Sequence, residues 1–412
     1  MLTLALLALA AIPASAESSV TWSGFGLVRG AGVDAPDSWL ENGLGRFSVG
    51  GEEEASGLAK SQVTLEWRPT TTVGVFLHGV ARLEPETEGG DAVGLVEAFV
   101  TFDFGLRSAD RFHTQIGHFL LPTSRENIEV GWTSPYTLTF SALNSWIGEE
   151  VRGSGILSSY HLAIGERDEL AIGAMGLWNN DTAGALLAWR GWAFGDRLSV
   201  IEETLPLPDI PALRDGGAFD EQNDVGTTPF TRDLDGQAGW GAFIRWQRPD
   251  VATLQYTRYD NRGDRDLHGG EYAWDTHFDL FGADLHLGNW SFAAEFMTGF
   301  TKMGIPNGFR AAADYHAGYL LASWANERFR FSLRYDDFET EEQDFSVLDD
   351  PNSGSGNGFT LAAFYESPRY PMRLGVEFLD ADAERTTFGL LTGDGENGGQ
   401  TLLLEVRYYF GS

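Results

Sequence analysis

From Thr401 to Phe410 the even positions are Leu402, Leu404, Val406, Tyr408 and Phe410, whereas the odd ones include Glu405, Arg407 and Tyr409. Side chains alternate faces along a β-strand, so this stretch has one apolar face and one charged face. The period returns along most of the chain. Tyr370, Met372, Leu374, Val376 and Phe378 alternate with Arg373, Gly375 and Glu377, and Phe329, Phe331, Leu333 and Tyr335 alternate with Arg330, Ser332 and Arg334. Trp290–Phe296, Trp240–Trp246 and Val63–Trp67 repeat the pattern.

One amphipathic strand fits a soluble sandwich as well as a membrane barrel. The connections narrow the choice. The pattern predicts strands over 20–29, 59–69, 72–82, 92–104, 111–120, 150–161, 169–178, 182–192, 195–204, 237–248, 251–260, 274–287, 289–300, 315–325, 327–338, 357–367, 370–380 and 400–410, which is eighteen. Every second connection is short, as at Pro69-Thr70-Thr71, Gly288-Asn289 and Ser367-Pro368-Arg369. The others are long: 30–58, 83–91, 121–149, 205–236, 261–273, 301–314, 339–356 and 381–399, with Asn179-Asn180-Asp181 the single short exception. Short turns at one rim and long loops at the other are the mark of an all-β, antiparallel transmembrane barrel with short periplasmic turns and long extracellular loops. The expected barrel spans 17–412 with eighteen strands, or sixteen as the alternative.

Composition agrees. Twenty-eight Lys and Arg against 60 Asp and Glu give a net charge of −32, which argues against nucleic-acid binding. The chain has 51 Gly, 28 Phe, 13 Trp, 12 Tyr and no Cys, so disulfide scaffolds and thiol chemistry are excluded. Its mean hydropathy of −0.19 suits a barrel that is apolar outside and polar inside. Residues 1–16, an apolar run closed by Ala14-Ser15-Ala16, are expected to be a signal peptide. No later stretch approaches the roughly 20 apolar residues of a spanning helix, so any membrane insertion must use strands.

With these features the sequence resembles the Gram-negative outer-membrane porins. Tyr408-Tyr409-Phe410, here followed by Gly411 and Ser412, is similar to the terminal signature by which members are delivered to the barrel-assembly machinery. Gly117-His118-Phe119-Leu120-Leu121-Pro122 is similar to the segment leading into the family's pore-narrowing third loop. The resemblance implies a Gram-negative outer-membrane location, a homotrimer, and contact with outer-membrane lipid and lipopolysaccharide. Phosphate-selective porins are a possible relative, but their lysine-rich interior has no counterpart, since only Lys60 and Lys302 are lysine.

Strand parity places Arg68, Arg82, Glu97, Arg152, Arg190, Arg245, Glu295, Arg330, Arg334, Arg373, Glu377, Glu405 and Arg407 on the inner wall as candidate pore-lining residues. Rings of such charges set ion preference; the plainer reading is that they pair across neighbouring strands and fill the lumen. Loop 121–149 is too apolar for a solvated tip, so it is the candidate constriction. Trp132, Tyr136, Leu138, Phe140 and Trp146 would pack on the wall, and Arg125, Glu126 and Glu129 would face the passage. Acidic stretches such as 339–350, Glu52-Glu53-Glu54, and Asp394 with Glu396 read as solvated loops, with Ca²⁺ binding the sharper alternative.

Catalytic signatures are missing. The eight His (78, 113, 118, 161, 268, 277, 286 and 316) form no HExxH, and there is no GxSxG elbow or phosphate loop. No cofactor or resident metal is implied. The function that follows is passive diffusion of ions and small hydrophilic solutes through a water-filled barrel. The alternatives are a non-conducting adhesin or structural barrel, or an outer-membrane hydrolase, which would need a Ser/His pair near one rim.

Overall fold

In the computed structural model, which describes residues 18–51, 55–83, 92–105, 110–223, 226–230, 233–304, 310–344 and 351–412, antiparallel strands pair each with the next until the last meets the first. They are β1 (Ser19–Asp34), β2 (Ala55–Arg68), β3 (Val73–Leu83), β4 (Val93–Gly105), β5 (Arg111–Leu120), β6 (Arg152–Ile164), β7 (Asp168–Trp178) and β8 (Gly239–Arg248). The second half comprises β9 (Ala252–Asp260), β10 (Asp275–Leu287), β11 (Trp290–Gly304), β12 (Arg310–Ala325), β13 (Phe329–Glu342), β14 (Gly354–Glu366), β15 (Met372–Arg385) and β16 (Gly399–Gly411). Closure runs from Ser23 opposite Gly411 to Asp34 opposite Gln400, so no strand edge is left open. The expected signal peptide, 1–16, lies outside the described residues, as do Glu52–Glu54 and 345–350.

The barrel has sixteen strands, so eighteen was an overcount. The surplus segments, 182–192 and 195–204, belong to one long connection, 179–238, and pack inside the barrel. Their apolar residues are covered on every side rather than on one face, and Ala185–Trp189 is a short helix. A two-sided core segment and a lipid-facing strand can hold the same number of apolar residues, which is why period alone failed here. With the two removed, the exception at Asn179-Asn180-Asp181 disappears and short and long connections alternate, save that β11 and β12, on the long-loop side, are separated only by 305–309.

The outer wall is apolar and exposed over Leu320, Leu333, Phe281, Phe331, Phe296, Leu402, Leu404 and Val406. A continuous belt of this kind would drive a soluble protein to associate, and lipid is its natural solvent. Trp22, Trp290, Phe329 and Tyr408 crowd the short-turn end, where amphipathic rings favour the headgroup level. Toward the long-loop rim the same faces become acidic. Phe331, Leu333 and Tyr335 give way to Asp337, Glu339 and Glu341 along β13, and Leu374, Val376 and Phe378 to Asp380, Asp382 and Glu384 along β15.

Two long loops fold inward and form a core inside the cylinder. The first, 121–151, carries α1 (Ala142–Glu150), begun by Ser141, whose hydroxyl accepts from the Asn144 N–H at 3.2 Å. The second carries α2 (Ala185–Trp189). Trp146 of α1 meets Trp192 at 5.8 Å, Phe278 of β10 at 5.9 Å and Tyr315 of β12 at 5.4 Å, so both loops and the wall share one aromatic cluster. Trp189 of α2 meets Trp274 at 5.0 Å. Gly184, at φ 109°, starts α2 where any Cβ would collide with the Thr276 and Thr301 hydroxyls of the wall.

The lumen as candidate functional site

A strand places every second side chain on the inner wall, and there the charges predicted from parity meet the two loops. Arg334 of β13 is fully buried, with Nε donating to Asp336 at 2.7 Å and Nη1 to Glu126 at 2.6 Å and the Thr139 carbonyl at 2.7 Å. Glu377 of β15 accepts from the Thr139 N–H at 3.1 Å and hydroxyl at 2.6 Å. Glu295 of β11 accepts from the Asn144 amide at 2.8 Å and the Tyr319 hydroxyl at 2.7 Å. A buried charge is tolerated best when paired and hydrogen-bonded. Arg334 is both, whereas Glu377 is met by hydrogen bonds from the first loop, and Glu295 by one from that loop and one from the wall residue Tyr319.

The second loop is held in the same way. Asp196 lies between Arg29 of β1, at 2.8 Å, and Lys60 of β2, and Arg29 also reaches Glu405 of β16 at 2.6 Å. Burial alone would raise the Asp196 carboxyl, but the two cations outweigh it and hold it well below the usual carboxylate range. Arg82 of β3 and Arg197 share Glu203, at 3.0 and 2.7 Å. The loops are also tied to each other. Arg190 donates to Glu149 at 2.7 Å, and the Leu186 N–H donates to Glu150 at 3.0 Å. Arg152 donates to the carbonyls of Gly148 in the first loop and Ser199 in the second.

The lumen therefore divides in two. Deeper in the barrel, Arg82, Arg152, Glu295, Arg334, Glu377 and Glu405 are inward but buried beneath the loops, and Arg373 and Arg407, strand partners near the short-turn ends of β15 and β16, are buried as well. At the short-turn rim the inner wall is open: the side chains of Glu66 and Arg68 are each 41% exposed, and Arg111 is 58% exposed. Glu97, Arg245 and Arg330 are partly covered. Arg330 lies over the Tyr136 ring at 5.2 Å, and Arg245 lies 5.9 Å from that of Phe243. Arg190 is not on a strand at all; it follows α2 and is buried, a correction that goes with the lost strand 182–192.

Within the first loop, Arg125 reaches Asp284 of β10 at 3.7 Å and Glu129 reaches Arg373 at 3.2 Å, so both span the gap between loop and wall. Glu126 differs from expectation. It is fully buried, accepting from the Ser141 N–H at 2.9 Å as well as from Arg334, because a carboxylate here satisfies a helix start and a guanidinium together. Gly131 and Trp132 turn the loop with φ 70° and 53°, and Trp132 packs edge-on to Phe140 at 5.4 Å. A side chain on Gly131 would meet the Gln62 amide of β2.

Sequence reasoning missed Arg29, Lys60, Asp196, Arg197 and Glu203. A signal existed in Asp196-Arg197, two opposite charges inside an otherwise apolar run. Arg29 was hidden because the outward positions of β1 are largely glycine (Gly24, Gly26, Gly30 and Gly32), so the face toward lipid carries little apolar cue. Among the described residues, Asp181, Asp233 and Asp235 bring carboxylate oxygens within 4.8 Å of one another and could offer oxygens to a hard cation. Each already accepts a loop N–H, from Leu234, Gly236 and Gln237 respectively.

No family model and no curated protein matches the sequence. Solved structures do match the fold. The outer-membrane channel DcaP of Acinetobacter baumannii superposes with a TM-score of 0.56 at 10% identity, covering 96% of this chain and 98% of that one. OmpF of Salmonella typhi, in complex with daunomycin, gives 0.54 at 11% identity over 95% and 97%. The anion-selective porin from Comamonas acidovorans gives 0.53 at 13% identity over 96% and 100%. This chain has the fold of the Gram-negative outer-membrane porins.

Proposed function

We propose that the chain is an outer-membrane porin, a channel for passive diffusion of ions and small hydrophilic solutes. Its short turns would face the periplasm and its long loops the outside. The observation that supports this reading is the inversion of polarity across one wall, apolar outside and charged inside, in a barrel of sixteen strands. At that size the interior exceeds what wall side chains alone can fill. Here the excess is taken up by two loops, so the passage is narrow and suits ions and small solutes. Arg125, Glu129 and Trp132 on the first loop, facing Asp284 and Arg373, form the constriction, and Arg68, Glu97, Arg245 and Arg330 line the wider periplasmic vestibule.

Homotrimeric assembly, contact with lipid and lipopolysaccharide, delivery by the barrel-assembly machinery and removal of residues 1–16 belong to the same reading. The near-complete burial of 133–151 favours a second one, a barrel closed at rest whose loops serve as a surface structure. Reconstitution into a planar bilayer separates them. Discrete conductance steps support the channel, and persistent silence from folded protein supports the closed barrel.

A further inference from the structure

Near the periplasmic mouth, three residues that no motif links in sequence meet on the inner wall. Ser159 and His161 are two apart on β6, so both point inward, and Glu169 of β7, opposite Ala163, lies two residue pairs nearer the rim. Ser159 Oγ is 3.0 Å from His161 Nε2, and His161 Nδ1 is 2.8 Å from Glu169 Oε1. Glu169 can only accept, so Nδ1 carries the proton and Nε2 is left to accept from the Ser159 hydroxyl. Arg111 of β5 fixes the carboxylate, donating to its oxygens at 3.0 and 3.3 Å while lying 3.3 Å from Nδ1.

We propose that Ser159, His161 and Glu169 form a hydrolytic site for small carboxylic esters that enter the barrel from the periplasmic side. The roles follow from the geometry: a hydroxyl nucleophile, an imidazole base in reach of it, and a carboxylate that holds the base's tautomer. The surroundings suit a developing negative charge. Arg245 of β8 sits in the inner-wall row of His161, across Ala171, and its Nε is buried with no partner among the described residues. His113 of β5, bonded to Asp103 at 2.6 Å, is the strand partner of Ser159 on the other side. Ser159 and His161 are 3% and 7% exposed, behind the half-buried Glu169 and the exposed Arg111, which restricts the acyl group to a small one.

The chemistry balances with water as the only co-reactant. Ser159 Oγ forms a bond to the ester carbonyl carbon as its proton passes to His161 Nε2. The bond from that carbon to the ester oxygen then breaks, and the leaving alcohol takes the proton from Nε2. Water next attacks the acyl-Ser159 carbonyl and gives a proton to Nε2. The carbon–Oγ bond breaks, and Nε2 returns the proton to Oγ.

The test uses the full barrel, folded in detergent, with a fluorophosphonate probe and p-nitrophenyl acetate. We expect one covalent adduct, mapped by peptide mass to Ser159 and lost in Ser159→Ala. Labelling should slow about a hundredfold in His161→Gln, as for loss of a general base, and about tenfold in Glu169→Gln. Folding of each variant is checked by the faster gel migration of the unheated barrel. A folded wild-type barrel that takes no probe at Ser159 overturns the proposal, as does labelling at an unchanged rate in His161→Gln. Channel conductance is read separately, so failure of this site and failure of the porin reading are distinct results.

Discussion

Arg334 and Glu126 are 208 positions apart in the chain, yet Nη1 and Oε1 meet at 2.6 Å with both side chains fully buried. This contact joins the first inward loop to the wall of β13. Removing one partner of a buried pair leaves an uncompensated charge and costs about 3 kcal/mol. Arg334→Met should therefore loosen the loop while leaving the strands paired. The expected result is a noisier, larger single-channel current and a lower denaturant midpoint for loop-tryptophan fluorescence. An unchanged midpoint would count against this contact as an anchor.

Deleting 124–146 removes the turn at Gly131–Trp132 and most of what fills the barrel beside it. Single-channel conductance should rise. If it does not, the narrowest point lies in the second loop.

Asp196 is the point at which the second loop is fastened to β1 and β2. Asp196→Asn leaves Lys60 buried beside a neutral group, and the loop should open more often. Trypsin added to intact cells should then cut after Arg190 or Arg197, sites protected in the parent. Combining the change with Lys60→Met should restore most of the protection, because the orphaned cation is gone.

Asp181, at the outer end of β7, has its carboxyl pushed up to about 7 by burial; the Leu234 N–H opposes the rise, and Asp235 and Asp233 add to it. The unfolded value is near 3.9. A raised folded value means that the stabilisation is complete below about pH 4 and is lost as pH climbs through about 7. Proteolysis of loop 179–238 should accelerate over that window. Asp181→Asn should flatten the profile, and a persistent slope would assign the titration to another group.

Sixteen of the eighteen expected strands are present, because a lipid face and a polar face impose the same alternation on every spanning segment. Segment 182–192 failed for a physical reason. Leu186, Leu187 and Trp189 are buried among protein on all sides, and nothing local distinguishes that burial from lipid. The first loop was legible from Trp132, Tyr136, Phe140 and Trp146, whose aromatic content is costly in water. Its detailed use of charge was not, since whether Glu126 faces water or Arg334 depends on a strand two hundred residues away. The Ser159, His161 and Glu169 contact was hidden similarly: it needs the register of β6 against β7, which no motif records.

The ties between Glu149 and Arg190, and between Glu150 and Leu186, make the two inward loops mechanically one stopper. Neither can be withdrawn without dragging on its neighbour, so their restraints act together rather than in turn. Any widening of the passage is then expected to be abrupt, with few intermediate diameters.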